Sequence, residues 1–254
     1  MAIAHISYLS ELLQRPVDLN ILLPENAEPQ GLLIMLHGYY DRYDCTLRYS
    51  GLERYCAGLP LAVVMPNAEN GFYLNTATGL PYWDQLTREI PRVLKQWFHL
   101  SFPREKCFVG GISMGGYGAA KLALTFPEHF SRAFLYSPAV DLVKVAAQGF
   151  DRTVDPNAPR LEDMHLDQLI GSRTLQGSDD DLYHLLDTAD AGSLPSFHIF
   201  AGTEDFLLAD DLAFRDRLQS MGVSVDMDTS AGIHNWDTWD PFLRVMIREI
   251  REAL

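Results

Sequence analysis

Cys107–Ala120 reads CFVGGISMGGYGAA, an apolar run that passes through a glycine-rich turn into a segment that favours helix. The run before the turn predicts a short buried strand, and the residues after it predict a helix. Ser113 stands between the two, inside the pattern Gly-x-Ser-x-Gly that it forms with Gly111 and Gly115. A sharp strand-to-helix turn strains the backbone of its central residue and needs small neighbours on both sides. The pattern therefore predicts a serine at the tip of a tight turn.

A turn of this kind suits a nucleophile. It raises the Ser113 hydroxyl above the sheet, and it leaves the first backbone N–H groups of the helix, including that of Met114, without partners inside the helix. A glycine-rich turn with an incidental serine is the alternative interpretation. The strand before the turn and the helix after it favour the serine hydrolase interpretation.

Length and composition indicate a globular protein. The chain has 254 residues, of which 47% are apolar and 21% are charged, so we expect one α/β domain spanning 1–254. No apolar run approaches the roughly 18 residues that cross a bilayer, and no basic, apolar leader opens the sequence. We therefore expect a cytoplasmic protein without a membrane partner, and self-association into a homo-oligomer is compatible with this composition.

The net charge and the cysteine pattern limit which partners and which kinds of site we expect in this protein. The formal net charge of −14 disfavours nucleic acid as a partner, because the field of the protein repels phosphates. The three cysteines form no Cys-x-x-Cys pattern and no cluster with histidine, which argues against a disulfide framework and a metal site. We expect the acidic runs Asp179–Asp181 and Asp210–Asp211 to be solvated helix starts.

Strand-like and helix-like segments alternate along the chain. Seven apolar runs predict strands, namely Val17–Leu23, Leu32–Leu36, Leu61–Met65, Cys107–Val109, Ala133–Tyr136, Phe197–Phe200 and Val223–Met227. Four longer segments predict helices, namely Trp83–Phe98, Ser113–Leu124, Ala209–Met221 and Thr238–Leu254. Alternation of this kind predicts a mostly parallel central sheet with helices on both faces. Pro91 predicts a kink or a restart within its helix.

The segment 141–196 is the least regular part of the chain. It contains several glycines and prolines among short helical fragments such as Leu161–Ile170. We interpret it as a cap-like insertion between two strands, which either covers the site or decorates the surface.

A serine nucleophile needs a histidine base and a carboxylate that orients it. In the fold that such a strand-to-helix turn indicates, the order along the chain is nucleophile, acid, histidine. Only His234 follows the last predicted strand, so it is the predicted base. His129, His165, His184 and His198 are expected to be structural, and His37 is expected to position the oxyanion loop.

The acid is expected directly after the strand that precedes the histidine loop. Asp205 occupies that place and is the predicted acid, while Glu204 and Asp141 are the alternatives. The loop after Leu32–Leu36 is where this fold supplies a second oxyanion donor, so the N–H groups of Tyr39 and Met114 are the predicted pair.

Five segments together carry a resemblance to a known family. They are Leu36–Gly38, Val64–Asn67 with Asn70–Tyr73, Gly111–Gly118, Gly202–Leu207 and Ala231–Trp236. The chain resembles the putative-esterase group of α/β-hydrolases, most of all its bacterial tributyrin esterase and acetyl esterase branch, which is related to S-formylglutathione hydrolases and feruloyl esterases.

The resemblance implies a triad of Ser113, Asp205 and His234, no metal or organic cofactor, and a small-molecule ester substrate with a short acyl chain, including acetyl groups on sugars. We expect Gly38, Phe206 and Trp236 to line the substrate pocket. A thioesterase similar to S-formylglutathione hydrolases is the alternative within enzymes, and a binding protein without activity is the alternative outside them.

Overall fold

One eight-stranded sheet forms the centre of the computed structural model, which describes residues 1–254. The strands are β1 (Ala2–Ser10), β2 (Arg15–Leu23), β3 (Gly31–Leu36), β4 (Leu61–Pro66), β5 (Cys107–Ile112), β6 (Arg132–Tyr136), β7 (Ser196–Gly202) and β8 (Val225–Ser230). They lie in the order β1-β2-β4-β3-β5-β6-β7-β8. Strands β3 to β8 are parallel, whereas β1 and β2 pair antiparallel. The predicted mostly parallel sheet is confirmed.

Eleven α-helices surround the sheet. They are α1 (Cys45–Tyr49), α2 (Leu52–Tyr55), α3 (Tyr82–Asp84), α4 (Ile90–Phe98), α5 (Met114–Thr125), α6 (Leu142–Gln148), α7 (Leu161–Met164), α8 (Leu166–Ile170), α9 (Leu182–Thr188), α10 (Leu208–Ser220) and α11 (Trp236–Ala253). A π-helical turn at Gln85–Glu89 and a 3₁₀ turn at Arg104–Lys106 complete the set.

Both faces of the sheet are buried, as the alternation along β3 shows. Leu32, Ile34 and Leu36 pack into the core beneath α4, α5 and α10. Leu33 and Met35 point the other way, into a second core beneath α2 and α11. Successive side chains of a strand point to opposite faces, so a strand covered on both sides is apolar throughout. Helices on both faces are therefore confirmed.

The strand β1 escaped prediction from the sequence. Its outward-facing side chains mix apolar and polar types, with Ile3 and Leu9 exposed alongside His5 and Ser7. The strand lies at the edge of the sheet and is held by pairing with β2 and by Glu89. The Glu89 carboxylate accepts hydrogen bonds from Ser10 Oγ at 2.5 Å and from the Glu11 N–H at 2.7 Å. An edge strand needs little apolar surface, so its sequence signal is weak.

Pro91 lies where a new helix begins. The π-helical turn Gln85–Glu89 ends directly before α4, and Pro91 lies in the first turn of α4. Proline is tolerated there because its missing N–H would have no partner inside the helix. The predicted restart is confirmed.

The segment between β6 and β7 carries α6 to α9. The helix predicted over Leu161–Ile170 is divided into α7 and α8 at His165, whose φ of +49° is left-handed. Several hydrogen bonds anchor the segment to the rest of the protein, and two of them involve backbone carbonyls of α7 and α8. The Tyr39 phenol donates to the Met164 carbonyl at 2.8 Å, and the Ala77 N–H donates to the Leu169 carbonyl at 2.7 Å.

A buried ion pair also joins this segment to α5. Lys121 on α5 has a side chain only 2% exposed, and its Nζ lies 2.5 Å from Asp180 Oδ1. The ammonium also lies 3.9 Å from the centre of the Trp83 ring. Burial lowers the pKa of Lys121, and the charge of Asp180 opposes that shift. The acidic run is therefore only partly a solvated helix start, since Asp181 caps α9 while Asp180 pairs with Lys121.

Replacing Asp180 tests the contribution of this ion pair to stability. Asp180→Asn leaves the Lys121 ammonium buried without its counter-charge, so we expect the free energy of unfolding to fall by about 3 kcal/mol. Urea denaturation measures the change. The exposed neighbour Asp179 supplies the control, because Asp179→Asn removes the same charge and should change stability by less than about 0.5 kcal/mol. Equal stability of the two variants would contradict this assignment.

Candidate active site

The loops that follow four parallel strands meet at one edge of the sheet. Ser113 follows β5, Asp205 follows β7 and His234 follows β8, while Tyr39 follows β3. The carboxyl ends of parallel strands lie at the same edge, so side chains that are distant in sequence come together there.

Ser113 lies at the tip of a strained turn. Its backbone has φ +56° and ψ −113°, a conformation that L-amino acids rarely adopt. The turn is tight enough that a Cβ on Gly111 would overlap the Gly115 carbonyl, and one on Gly115 would overlap the Leu36 carbonyl. The N–H of Ser113 donates to the Tyr136 carbonyl at 2.8 Å. Glycine at both positions is thus a steric requirement of the turn.

The structure brings together the three side chains of the predicted triad. His234 Nε2 lies 2.9 Å from Ser113 Oγ. On the other side of the ring, His234 Nδ1–H lies 2.9 Å from Asp205 Oδ2 and 3.0 Å from Oδ1. The carboxylate can only accept at this distance, which fixes the tautomer with the proton on Nδ1 and leaves Nε2 free to accept from the serine.

The environment of Asp205 favours its charged form. Burial alone would raise the pKa of Asp205, but the charge and hydrogen bond of His234 outweigh it, together with bonds from Leu207 and Ser137. The Leu207 N–H donates to Asp205 Oδ1 at 2.9 Å. The net effect is a lowered pKa, so the carboxylate stays ionised and can stabilise a positive charge on His234.

Two backbone N–H groups beside Ser113 have no partner within the protein. They belong to Met114, at the start of α5, and to Tyr39, in the loop after β3. Neighbouring Gly38 is in close contact with the turn, since a Cβ there would lie 3.7 Å from Ser113 Cβ. Free N–H groups in this position can stabilise an oxyanion.

His37 supports the loop that carries the Tyr39 N–H. Its Nδ1–H donates to the Gly38 carbonyl at 2.8 Å, and its Nε2 accepts from the Ala68 N–H at 3.0 Å. Burial lowers the pKa of His37 to about 4, so the ring is neutral at physiological pH. A neutral ring can keep both hydrogen bonds, whereas a protonated ring would lose the acceptor.

Aromatic rings flank His234 on two sides. The Phe206 ring lies 4.4 Å from the imidazole and packs against Phe150 at 4.9 Å. Trp239 meets the imidazole edge-on at 4.8 Å, and its indole N–H donates to Ser137 Oγ at 2.9 Å. Trp236 packs on Trp239 rather than on the imidazole.

Ser137 and Trp239 were absent from the sequence prediction, although each had a positional signal. Ser137 directly follows β6 at the edge of the sheet where the other site residues gather. Trp239 lies on the first turn of α11, which begins after the capping residue Asn235. The position of Trp239 on this first turn brings its ring against the His234 imidazole, a contact that its place in the sequence alone does not predict.

The alternative candidates lie elsewhere or have other partners. Asp141 caps α6 by accepting from the Lys144 N–H at 2.8 Å. His198 Nδ1 lies 2.7 Å from Glu249 Oε1, on the side of the sheet covered by α11. The largest cavity, about 790 Å³, lies between α6 and α8 and includes no triad side chain among its lining residues.

Comparison with known proteins places this site in a family. The model of the family described as "Putative esterase" matches residues 10–250. The chain belongs to the putative-esterase family. It is 28% identical over 257 aligned residues to an acetyl esterase of Caldicellulosiruptor saccharolyticus, with 96% of each chain covered.

Two solved structures from Staphylococcus aureus are similar over almost the whole chain. The fluorophosphonate-binding serine hydrolase FphF is 31% identical, with a TM-score of 0.85 and 98% of each chain covered. The S-formylglutathione hydrolase FrmB is 29% identical, with a TM-score of 0.82, and covers 98% of this chain and 99% of its own. The protein is a carboxylic ester hydrolase of the serine type with the α/β-hydrolase fold. No helix in the structure combines the length and apolar character needed to cross a bilayer.

One further carboxyl group of this esterase lies close to the site. Asp211, in the first turn of α10, is fully buried, and neither of its carboxyl oxygens has a hydrogen-bond partner. The expectation of a solvated helix start is therefore wrong for this residue. Its N–H donates to the Leu207 carbonyl at 2.9 Å, next to the turn that holds Asp205. Burial, reinforced by the charges of Asp205 and Asp210, raises the pKa of Asp211 well above its ordinary value. Asp211 therefore holds its proton where Asp205 is charged.

The raised pKa of Asp211 predicts a stability that falls as pH rises. The unfolded chain releases this proton near pH 4, whereas the folded protein retains it to higher pH, so each pH unit between about 4 and the raised pKa of the folded protein favours unfolding. Asp211→Asn keeps a neutral side chain at all pH values. We expect it to match the wild type near pH 4 and to become more stable than the wild type toward pH 8.

Thermal unfolding across this pH range measures the difference. Asp216→Asn, on the exposed side of the same helix, is the control and should follow the wild-type curve. A constant difference between Asp211→Asn and the wild type at every pH would show that Asp211 titrates normally.

Proposed function

We propose that this enzyme hydrolyses esters with short acyl chains, from acetyl to butyryl, through an acyl-enzyme on Ser113. The single observation that carries the proposal is the position of His234, which lies 2.9 Å from Ser113 Oγ and 2.9 Å from Asp205 Oδ2. A base that can take a proton on one nitrogen and is oriented through the other is the arrangement that serine esterases need.

The reaction follows from these contacts. As Ser113 Oγ attacks the ester carbonyl, its proton passes to His234 Nε2, and Asp205 stabilises the imidazolium that forms. The imidazolium then gives this proton to the leaving alcohol, which leaves an acyl group on Ser113. Water enters, loses a proton to His234 and attacks the acyl carbon. The second tetrahedral intermediate then breaks its bond to Ser113 Oγ, which takes this proton back from His234 as the acid is released.

The negative charge of each tetrahedral intermediate needs donors that are fixed in advance. The N–H groups of Met114 and Tyr39 are the proposed pair, since both lie beside Ser113 and have no other partner. Removal of one such donor typically costs about 3 kcal/mol of transition-state stabilisation. None of these steps calls for a metal or an organic cofactor, and a small-molecule ester is the only partner that the reaction requires.

Two observations support a short acyl chain. The Phe206 ring lies 4.4 Å from the His234 imidazole and packs against Phe150, so an apolar surface borders the base. The similar protein from Caldicellulosiruptor saccharolyticus is an acetyl esterase. Small apolar groups are the acyl parts that such a surface accommodates.

Replacing the nucleophile tests the proposal. Ser113→Ala removes the attacking oxygen without filling space, so we expect kcat for 4-nitrophenyl acetate or butyrate to fall by at least about 10⁴-fold. Circular dichroism should show an unchanged fold. Labelling with a fluorophosphonate should occur in the wild type and not in the variant. Wild-type protein that neither reacts with the label nor hydrolyses esters would instead indicate a binding protein on a hydrolase fold.

Thioester hydrolysis is a second candidate function, favoured by the similarity to the S-formylglutathione hydrolase FrmB. The same three side chains would perform it, so the substrate has to distinguish the two. We expect kcat/KM to be higher for 4-nitrophenyl butyrate than for S-formylglutathione, because the net charge of −14 repels the negatively charged glutathione part of this thioester. Parallel measurements on the two substrates decide this, and a preference for S-formylglutathione would reverse the assignment.

A further inference from the structure

The strand β1 forms a free edge of the central sheet. It pairs with β2 over its whole length of nine residues, from Ala2 opposite Leu23 to Ser10 opposite Arg15, without a bulge. No strand lies on its other side. Apart from the bonds to β2, no backbone group of residues 2–9 bonds to another part of the protein. The N–H and C=O groups that point away from β2 are therefore open to a further strand.

The sequence of β1 lacks the features that usually protect an edge strand. Natural edges carry a charge, a proline, a bulge or a covering loop, which prevents pairing with a second chain. β1 reads AIAHISYLS and contains no proline and no aspartate, glutamate, lysine or arginine. The strand at the opposite edge, β8, reads VDMDTS and exposes Asp226 and Asp228. One edge of the sheet is thus protected by carboxylates, whereas the other is open.

Exposed apolar side chains surround the open edge. Ile3 is 50% exposed and Leu9 is 71% exposed on the outer face of β1. On the opposite face of the strand, the Trp97 ring meets Tyr8 at 5.5 Å and is 52% exposed. Three of the seven large apolar side chains that the protein exposes therefore lie along one strand. A concentration of this kind indicates an interaction surface.

The sequence of β1 is complementary to itself in an antiparallel pair. A two-fold axis beside Ile6 places Ile3 of one copy opposite Leu9 of the other, and His5 opposite Ser7. All nine residues pair in this register, and the two exposed apolar side chains cover each other. A shift of two residues separates Ile3 from Leu9 and leaves the end of each strand unpaired. The pattern of the strand therefore matches a second copy of this chain.

Charge also favours this edge as the contact between two copies. The net charge of −14 makes most faces of two such molecules repel each other. Glu11, the first carboxylate after the strand, is paired with Arg92 at 3.1 Å. Asp18 lies one strand further in, on β2, with its Oδ1 3.7 Å from His5 Nε2. Pairing along β1 therefore brings no two carboxylates together.

We propose that two copies of this protein pair through the outer edges of their β1 strands, antiparallel around a two-fold axis beside Ile6. The two eight-stranded sheets then form one continuous sheet, and each open edge satisfies the other. Stable interfaces bury about 1,600 Å² in total, so the exposed Trp97 rings add area to the paired strands. The inference is independent of the reaction, because no triad residue lies on β1.

Sedimentation velocity over a range of concentrations tests this pairing, and we expect the wild type to form a dimer. Leu9→Glu places a carboxylate opposite Ile3 of the other copy, twice in each dimer. It should raise the dissociation constant at least about tenfold, and Ile3→Lys should act similarly. The double variant Ile3→Lys/Leu9→Glu sets opposite charges face to face. It should dimerise at least about threefold more tightly than either single variant.

Two controls separate this contact from general effects. Val154→Glu is matched to Leu9→Glu, because it adds the same charge at an exposed apolar side chain in the segment between β6 and β7. It should leave the dissociation constant unchanged, and circular dichroism should show that every variant folds. In the wild type, hydrogen exchange within residues 2–10 should become slower as the protein concentration rises.

The other outcomes overturn the inference. A wild type that stays monomeric up to its solubility limit would leave the edge to an extended segment of another protein. A dimer that neither single variant weakens, or that Val154→Glu weakens equally, would place the contact on another surface. Weakening by both single variants without recovery in the double variant would exclude the antiparallel register.

Discussion

The site depends on the left-handed backbone of Ser113. That conformation exists only because α5 starts in contact with the backbone of the neighbouring strands, where Gly115 approaches the Leu36 carbonyl and Gly111 approaches Gly115. The packing of helix against sheet therefore supplies the energy that keeps the turn strained. The same turn directs the serine oxygen toward His234 and leaves the Met114 N–H free, so one turn positions both the nucleophile and an oxyanion donor.

Two buried carboxyl groups lie near the site, and they differ in the hydrogen bonds that stabilise a negative charge. Asp205 is buried but accepts enough hydrogen bonds to remain charged, whereas Asp211, in the first turn of α10, is buried and accepts none. Only one of two such carboxyl groups can ionise easily in an apolar interior, and the donors determine which one. His37 gives the complementary case, because burial keeps it neutral and neutrality preserves both of its hydrogen bonds.

Most of the architecture was predictable because strands buried on both faces are apolar throughout and alternate with helices. The edge strand β1 was not predictable, because its exposed face lacks the apolar pattern of a buried strand. The single helix expected over Leu161–Ile170 was wrong, because the left-handed backbone of His165 divides it. The triad candidates could be identified because each follows a strand that ends at the same edge, and the structure brings them together, while their roles stay predictions. Ser137 and Trp239 were missed because no local motif marks them, and only the folded structure shows which site residue each one contacts.

The ion pair between Lys121 and Asp180 has a consequence for how such enzymes can diversify. One charge lies on the helix that begins at the nucleophile, and the other lies in the segment between β6 and β7. A segment transplanted from a relative would have to bring its own anion, or the recipient helix would need an uncharged side chain in place of the lysine. The segment between β6 and β7 is therefore exchangeable only together with its matching helix residue, and recombination at the segment boundaries alone would yield unstable chimaeras.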